Sequence, residues 1–349
     1  MNNNKTKTIA VALSGGVDSA ASAHILKNQG YNVFGITMKL FESYDTESAS
    51  YVAQKLNINH YIINLEDVFK KEVIDIFVDE YLKGKTPNPC IICNRKLKYG
   101  ILLEEAQRLG ADYMASGHYA NVEYNREDCK YHLFKGNTLN KDQSYFLYHL
   151  KQKQLSRLIM PLANYESKDD VRNMVKDILP QTFTKRDSLN ICFIQNSSYK
   201  EFIHEKTDNI DAAGSFIDKQ GNFLGYHKGI YNYTIGQKRG LDIEFDGSMY
   251  VVQINSNTNE IILGNDEDTY KNEIYLQDVT YIDDDNKNIE SFDCEIKLCQ
   301  WGYYIKCTIY NTGNNNAAVK FHKGERAPAP GQSAVFYRDN EVLGGGIIL

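Results

Sequence analysis

The chain lacks any apolar run long enough to cross a bilayer, and its first residues, Met1-Asn2-Asn3-Asn4-Lys5, are too polar to open a secretory signal. A cytoplasmic protein with no membrane partner is therefore expected. Net positive charge is also missing: 39 Lys and Arg against 45 Asp and Glu leave −6 at pH 7. That removes whole-chain attraction to nucleic acid as an argument, while leaving room for a local basic face that steers a polyanion. An even set of cysteines is absent too. The seven present are spread along 349 residues, which argues against a disulfide framework and for reactive or cluster-binding thiols. No internal repeat is visible. The length exceeds what one core usually reaches, about 250–300 residues, so two or three domains are expected.

What is present begins with an apolar run, Thr8-Ile9-Ala10-Val11-Ala12-Leu13, that feeds Ser14-Gly15-Gly16-Val17-Asp18-Ser19 and then a helical stretch from Ala20 to Leu26. Strand, glycine turn and helix start together make a phosphate cradle. The glycines permit close backbone approach to an anion, and Ser14 and Ser19 add hydroxyls beside the unpaired N–H groups of the helix's first turn. The Lys-Ser/Thr pair that closes a Walker loop is absent. The hexamer resembles instead the pyrophosphatase loop of ATP-dependent enzymes that adenylate an oxygen and expel pyrophosphate.

Strand and helix patterns alternate through the first half, as a parallel, Rossmann-like α/β sheet requires. Gly30 is placed to close the first helix; strands are expected at Asn32–Thr37, Tyr61–Leu65 and Tyr113–Ser116, with helices over 46–56 and over 95–109, the latter ending at Gly110. Asp67 is placed to cap a helix whose Phe69, Val73, Phe77 and Tyr81 recur every four residues and form a core face. Ser14, Met38 and Gly117 then lie at carboxyl ends of strands, where ligands of such sheets gather. Beyond residue 200, short apolar runs at 214–217, 249–252, 260–263, 296–298 and 333–336 are separated by Gly, Asn and Asp turns. These predict a small central β domain, a break near Asp266–Glu273 and a C-terminal β-barrel. The expected domains are 1–200, 201–272 and 273–349. Asp283–Asn288 and Asn314–Asn316 read as solvated turns.

Two cysteine segments carry further chemistry. In Thr86-Pro87-Asn88-Pro89-Cys90-Ile91-Ile92-Cys93-Asn94, two prolines stiffen the approach and Cys93 falls at a helix start, which favours the thiolate. In Lys185-Arg186-Asp187-Ser188-Leu189-Asn190-Ile191-Cys192, a basic loop precedes Cys192 and again favours ionisation. The alternatives are small buried hydrophobes or half of a zinc knuckle, for which Cys294, Cys299 and Cys307 supply no second Cys-x-x-Cys.

The ordered set of motifs resembles one family nearly end to end, the tRNA-specific 2-thiouridylases, pyrophosphatase-loop enzymes that replace the 2-oxygen of the wobble uridine with sulfur. It comprises the N-terminal loop, Thr86-Pro87-Asn88-Pro89, Ser116-Gly117-His118-Tyr119, Asn140–Leu147, Ile191-Cys192-Phe193-Ile194, Tyr233–Gln237, Ala329–Tyr337 and Leu343–Gly346. The resemblance implies an adenine nucleotide alpha hydrolase-like first domain. ATP would be held by Ala12, Leu13, Ser14, Gly15, Gly16, Val17, Asp18, Ser19, Met38 and Gly117, with Mg2+ screening the phosphates. Sulfur would arrive from a partner protein as a persulfide on Cys192, and Cys93 would release it by forming a disulfide with Cys192. Asn88, Pro89 and Cys90 would touch the target base. His118, Asp142, Gln143, Ser144 and Gln332 would contact tRNA or order its loop, although His118 by itself also reads as a satisfied loop histidine.

Two departures from the family pattern stand out. Where the family commonly carries Asp, this chain has Cys90, so Cys90, Cys93 and Cys192 could ligate a four-iron four-sulfur cluster ([4Fe-4S]) with an open fourth position, in place of the persulfide and disulfide scheme. Where the family carries a basic stretch, this chain has Leu298-Cys299-Gln300-Trp301; Trp301 is either a base-stacking ring or part of the core. The segment after Met38 is also shorter than the family's. Two rival readings remain: another pyrophosphatase-loop synthetase that adenylates a carboxylate, and a non-catalytic RNA-binding relative.

Overall fold

The run Thr8–Ala12 forms β1, which is buried and pairs in parallel with β2 (Asn32–Lys39) on one side and β4 (Tyr113–Ala115) on the other. β3 (Asn59–Asn64) and the short β7 (Leu158–Ile159) complete a five-stranded parallel sheet in the order β3-β2-β1-β4-β7. The computed structural model describes residues 6–184, 191–195, 197–207, 212–244 and 248–349. The basic loop expected before Cys192, Lys185–Asn190, lies outside the described residues.

Helices cover the sheet as βαβ crossovers require. The first, α1 (Val17–Asn28), packs Val17, Ala20, Ala21 and Leu26 against Ile9, Val11 and Leu13. α2 (Glu47–Lys55) follows β2. A helical run over 66–82 buries Phe69, Val73, Phe77 and Tyr81 as its spacing predicts. Its start differs from expectation: the helix begins at Glu66, whose N–H donates to the Asn64 side chain at 3.0 Å, so Asp67 sits in the first turn rather than at the cap. A second helical run, 89–108, begins earlier than the expected 95 because Asn88 caps it and Pro89 fits the first helical position.

The central sheet, in the order β10-β11-β8-β9, is formed by β8 (Gly214–Ile217), β9 (Phe223–His227), β10 (Tyr250–Asn255) and β11 (Glu260–Gly264). Phe216, Val251, Ile261 and Leu263 are its buried face. The C-terminal strands are β12 (Tyr270–Tyr281), β13 (Ser291–Lys297), β14 (Ile305–Gly313), β15 (Asn316–Arg326), β16 (Ser333–Arg338) and β17 (Glu341–Ile348). They run β12-β15-β14-β13-β16-β17, and pairing of β12 with β17 closes them into a six-stranded barrel. A hairpin of the first half, β5 (Ala120–Asn125) and β6 (Lys130–Lys135), joins this sheet through Glu341↔Phe134 and Val342↔Leu133. The acidic segment after β12 does more than face water. Asp283 and Asp285 pair with Lys130, and Asp284 with Lys151, tying the barrel to the first half.

Candidate active site

The loop between β1 and α1 holds itself open by internal hydrogen bonds. Ser14 N–H donates to Ser19 Oγ at 3.2 Å, the two hydroxyls lie 3.2 Å apart, and Ser19 Oγ donates to the Gly16 carbonyl at 3.1 Å. No side chain caps α1, so its leading N–H groups face the loop. Two glycines are required by contact. Gly15 has φ +72°, and a Cβ there would fall 2.4 Å from Ser48 Cβ; a Cβ on Gly117 would fall 2.7 Å from the Asp18 backbone. Asp18 is fixed by Tyr119 Oη at 2.8 Å and Lys168 Nζ at 3.0 Å.

This loop forms one wall of a cleft of ≈ 500 Å³. Ser14, Gly16, Val17 and Asp18 line it, and so do Cys192, Lys141, Lys168 and Trp301. The glycine turn and one of the two reactive-thiol candidates thus share a cavity. Behind Gly15 a second hollow of ≈ 440 Å³ is lined by Asp45 and Glu47. Both hollows carry two carboxylates, Asp18 and Asp45 in the first and Asp45 and Glu47 in the second, but among the described residues only the first adds cations, Lys141 and Lys168, which favour a polyphosphate there. Leu13 and Met38 are buried at the strand ends beneath the loop, and Ala12 is partly buried there; Met38 contributes to the core and is not among the cleft's lining residues.

Cys90 and Cys93 come from the helix capped by Asn88, whose side chain accepts from Cys90 N–H at 3.2 Å. From Cys93 to Leu102 that helix widens to i→i+5 bonding, and Lys98, five residues on, joins the thiols' electrostatic surroundings. Cys192 lies close enough that Cys93 and Cys90 add to its resistance to ionisation, and Cys90 adds to that of Cys93. The expected thiolates are not favoured. Desolvation pushes Cys93 up to about 11 and Cys192 up to about 12, with Lys98 pulling weakly the other way. Cys93 lies a turn inside the helix rather than at its start. Cys90 and Cys192 touch solvent, yet concave protein walls surround them and also raise Cys90. Tyr44, which lines the cleft, is pushed up to about 12 by burial and by Cys192 and Cys93 beside it. Among the described residues no group of three or more His, Cys, Asp or Glu side chains is arranged to hold a metal ion, so the geometry gives the expected cluster on Cys90, Cys93 and Cys192 no support.

Family models match most of the chain in order: a tRNA methyl transferase HUP domain over residues 7–196, a tRNA methyl transferase PRC-barrel domain over 200–265 and an aminomethyltransferase beta-barrel domain over 271–348. The chain is 42% identical over 356 residues to the tRNA-specific 2-thiouridylase MnmA of Clostridium kluyveri, covering 98% of this chain and 99% of that protein. To the Clostridioides difficile enzyme of the same name it is 41% identical, with 98% of each covered. The figure is 43% for the Caldanaerobacter subterraneus subsp. tengcongensis protein, with 97% of each covered. The chain belongs to the tRNA-specific 2-thiouridylase family.

The remaining site residues of this 2-thiouridylase family member divide by exposure. His118, Asp142 and Ser144 are buried. His118 Nδ1 lies 2.7 Å from Tyr99 Oη and 2.9 Å from Ser116 Oγ, and burial holds the ring well below the usual histidine range. Asp142 accepts from Gly136 N–H, Ser144 N–H and Ser144 Oγ, so its carboxylate orders the loop that carries Gln143. Gln143 lines the cleft and accepts from Tyr119 N–H at 3.1 Å. Gln332 donates to the Thr86 carbonyl at 2.6 Å, bracing the segment before Asn88 and Pro89. Trp301 is 76% exposed, which removes it from the core. Lys98, Lys168 and Tyr44 were invisible to motif reading, and Tyr119 stood in a motif without a role: Lys168 and Tyr119 reach Asp18 across 150 and 101 residues of chain.

Proposed function

We propose that this protein uses ATP to replace the 2-oxygen of the wobble uridine of tRNA with sulfur. The observation that carries the reading is the single cleft that holds both the glycine turn and Cys192. The uridine 2-oxygen attacks the α-phosphorus of ATP and pyrophosphate leaves along the Ser14–Ser19 loop, whose N–H groups receive its charge. Magnesium enters with ATP as part of that substrate. A partner protein delivers sulfur as a persulfide on Cys192. The terminal sulfur attacks C2 and AMP departs with the oxygen. Cys93 then attacks Cys192 Sγ, the S–S bond to the substrate breaks toward the base, and a Cys93–Cys192 disulfide is left for a dithiol reductant. This route uses the thiols alone. Asn88, Pro89 and Cys90 border the base, while His118, Asp142 and Ser144 act indirectly by fixing the loop that presents Gln143.

Incubating the protein with an unmodified tRNA transcript, ATP, a persulfide (sulfane-sulfur) donor and a dithiol reductant, followed by mass analysis of nucleosides, tests the proposal. The expected result is 2-thiouridine that requires ATP and is abolished in Cys192→Ser. Iron-free protein retains this activity. ATP-dependent AMP release with small acids and no thiouridine, or RNA binding without turnover, overturns it.

A further inference from the structure

Trp301 is the chain's single tryptophan, and it presents most of its ring to solvent at the wall of the cleft. Exposure of so large an apolar surface forgoes burial and marks an interaction site when its position is held rather than loose. It is held. Gln300 is buried and its amide donates to the Asp142 carbonyl, Lys297 Nζ donates to the Gln300 carbonyl at 2.7 Å, and Gly302 N–H donates to the Cys299 carbonyl at 3.1 Å. The loop carrying the ring is thereby fastened to the loop carrying Lys141 and Gln143, which line the same cleft.

Exposed rings continue away from the cleft. Tyr303 is 66% exposed, donates to Glu325 at 2.5 Å and lies in the electrostatic neighbourhood of Tyr270 and Arg326. The Arg326 guanidinium, which also pairs with Asp266, lies 5.1 Å from the centre of the half-buried Tyr250 ring, and Lys238 Nζ lies 5.5 Å from it. Rings interleaved with cations on one surface suit unpaired nucleotides, whose bases stack while their phosphates meet positive charge. A protein partner would need no such alternation, and a duplex would not offer its base faces.

We propose that Trp301 heads a stacking track for unpaired nucleotides of the RNA substrate, running from the cleft over Tyr303 and Tyr270 to the cation-flanked ring of Tyr250. This rests on the reading of the protein as acting on tRNA. At the cleft the track substitutes stacking for phosphate charge, so Trp301 sets affinity without adding to the salt dependence of binding.

The single tryptophan makes the test direct. An unmodified tRNA transcript titrated into the full-length protein is expected to quench Trp301 emission in step with binding followed by anisotropy of labelled RNA. Trp301→Ala is expected to weaken binding roughly 5- to 150-fold with an unchanged salt slope. Trp301→Phe keeps most of the affinity, and Lys238→Ala lowers the salt slope by about one. RNA that binds and is thiolated while the emission stays silent overturns the stacking track and leaves the proposed function standing. RNA that neither binds nor is thiolated overturns both.

Discussion

Cys93 and Cys192 are nucleophile candidates that the folded protein holds protonated. With Cys93 pushed up to about 11 by burial, the neutral thiol dominates at pH 7. Its alkylation by iodoacetamide, followed by peptide mass mapping, is expected to rise about tenfold per pH unit from 7 to 9 without levelling. Curvature towards a plateau between pH 8 and 9 would show an ordinary thiol and levelling by pH 8 an activated one, and either would refute this account. The sign follows from the cause: desolvation penalises the charged form, so raising the pH is the only way to populate it in the free protein. The residues themselves were legible in the sequence, because glycine turn, Cys-x-x-Cys and Cys192 each sit in a local motif. Their ionisation was not, because burial arises from walls contributed by distant segments, Tyr44 among them.

Among the elements, the helix starting at Pro89 matters most, since it carries Cys90, Cys93 and Lys98 from one cap. Asn88→Ala removes the acceptor for Cys90 N–H and is expected to cost about 1 kcal/mol of stability, read as a lower thermal midpoint. Asn88→Asp keeps a capping oxygen and should leave the midpoint nearly unchanged. If thiolation nevertheless falls in Asn88→Asp, the side chain also meets the base; equal midpoints for both variants would refute the cap. The helix's existence over 95–109, ending at Gly110, was readable in the sequence, and its early start was readable in principle from Asn-Pro. Its widened i→i+5 turn from Cys93 to Leu102 was not, because nothing in the local residue order distinguishes that ladder from an α-helical one. The same limit applies at residue 66, where Asn64 rather than Asp67 supplies the first acceptor: both are good capping residues, and only the backbone path decides between them.

At the scale of the molecule, the first half and the barrel are one structure in energetic terms. Tyr145 and Leu147 share a buried cluster with Val335, Tyr337 and Val342. Tyr145 Oη donates to the Ser333 carbonyl at 2.9 Å, Thr86 N–H donates to the Pro330 carbonyl at 2.8 Å, and Arg95 pairs with Asp278. The β5–β6 hairpin is the extreme case, since its strand partner lies about two hundred residues later in the chain and no local pattern announces the pairing. A sequence reading that cuts the chain into consecutive pieces therefore finds the sheets but not what joins them. A chain ending at residue 265 would expose the apolar faces of Tyr145 and Leu147, strand β6 along the edge it shares with β17, and a cleft without Gln300 and Trp301. Full-length protein is expected to melt in calorimetry with Thr86, Tyr145 and the barrel in one cooperative transition, and residues 1–265 to show no sharp transition and greatly weakened ATP binding. A truncated chain that melts sharply at the full-length temperature and binds ATP equally well would mean that the barrel contributes a surface for RNA and nothing to the integrity of the nucleotide site.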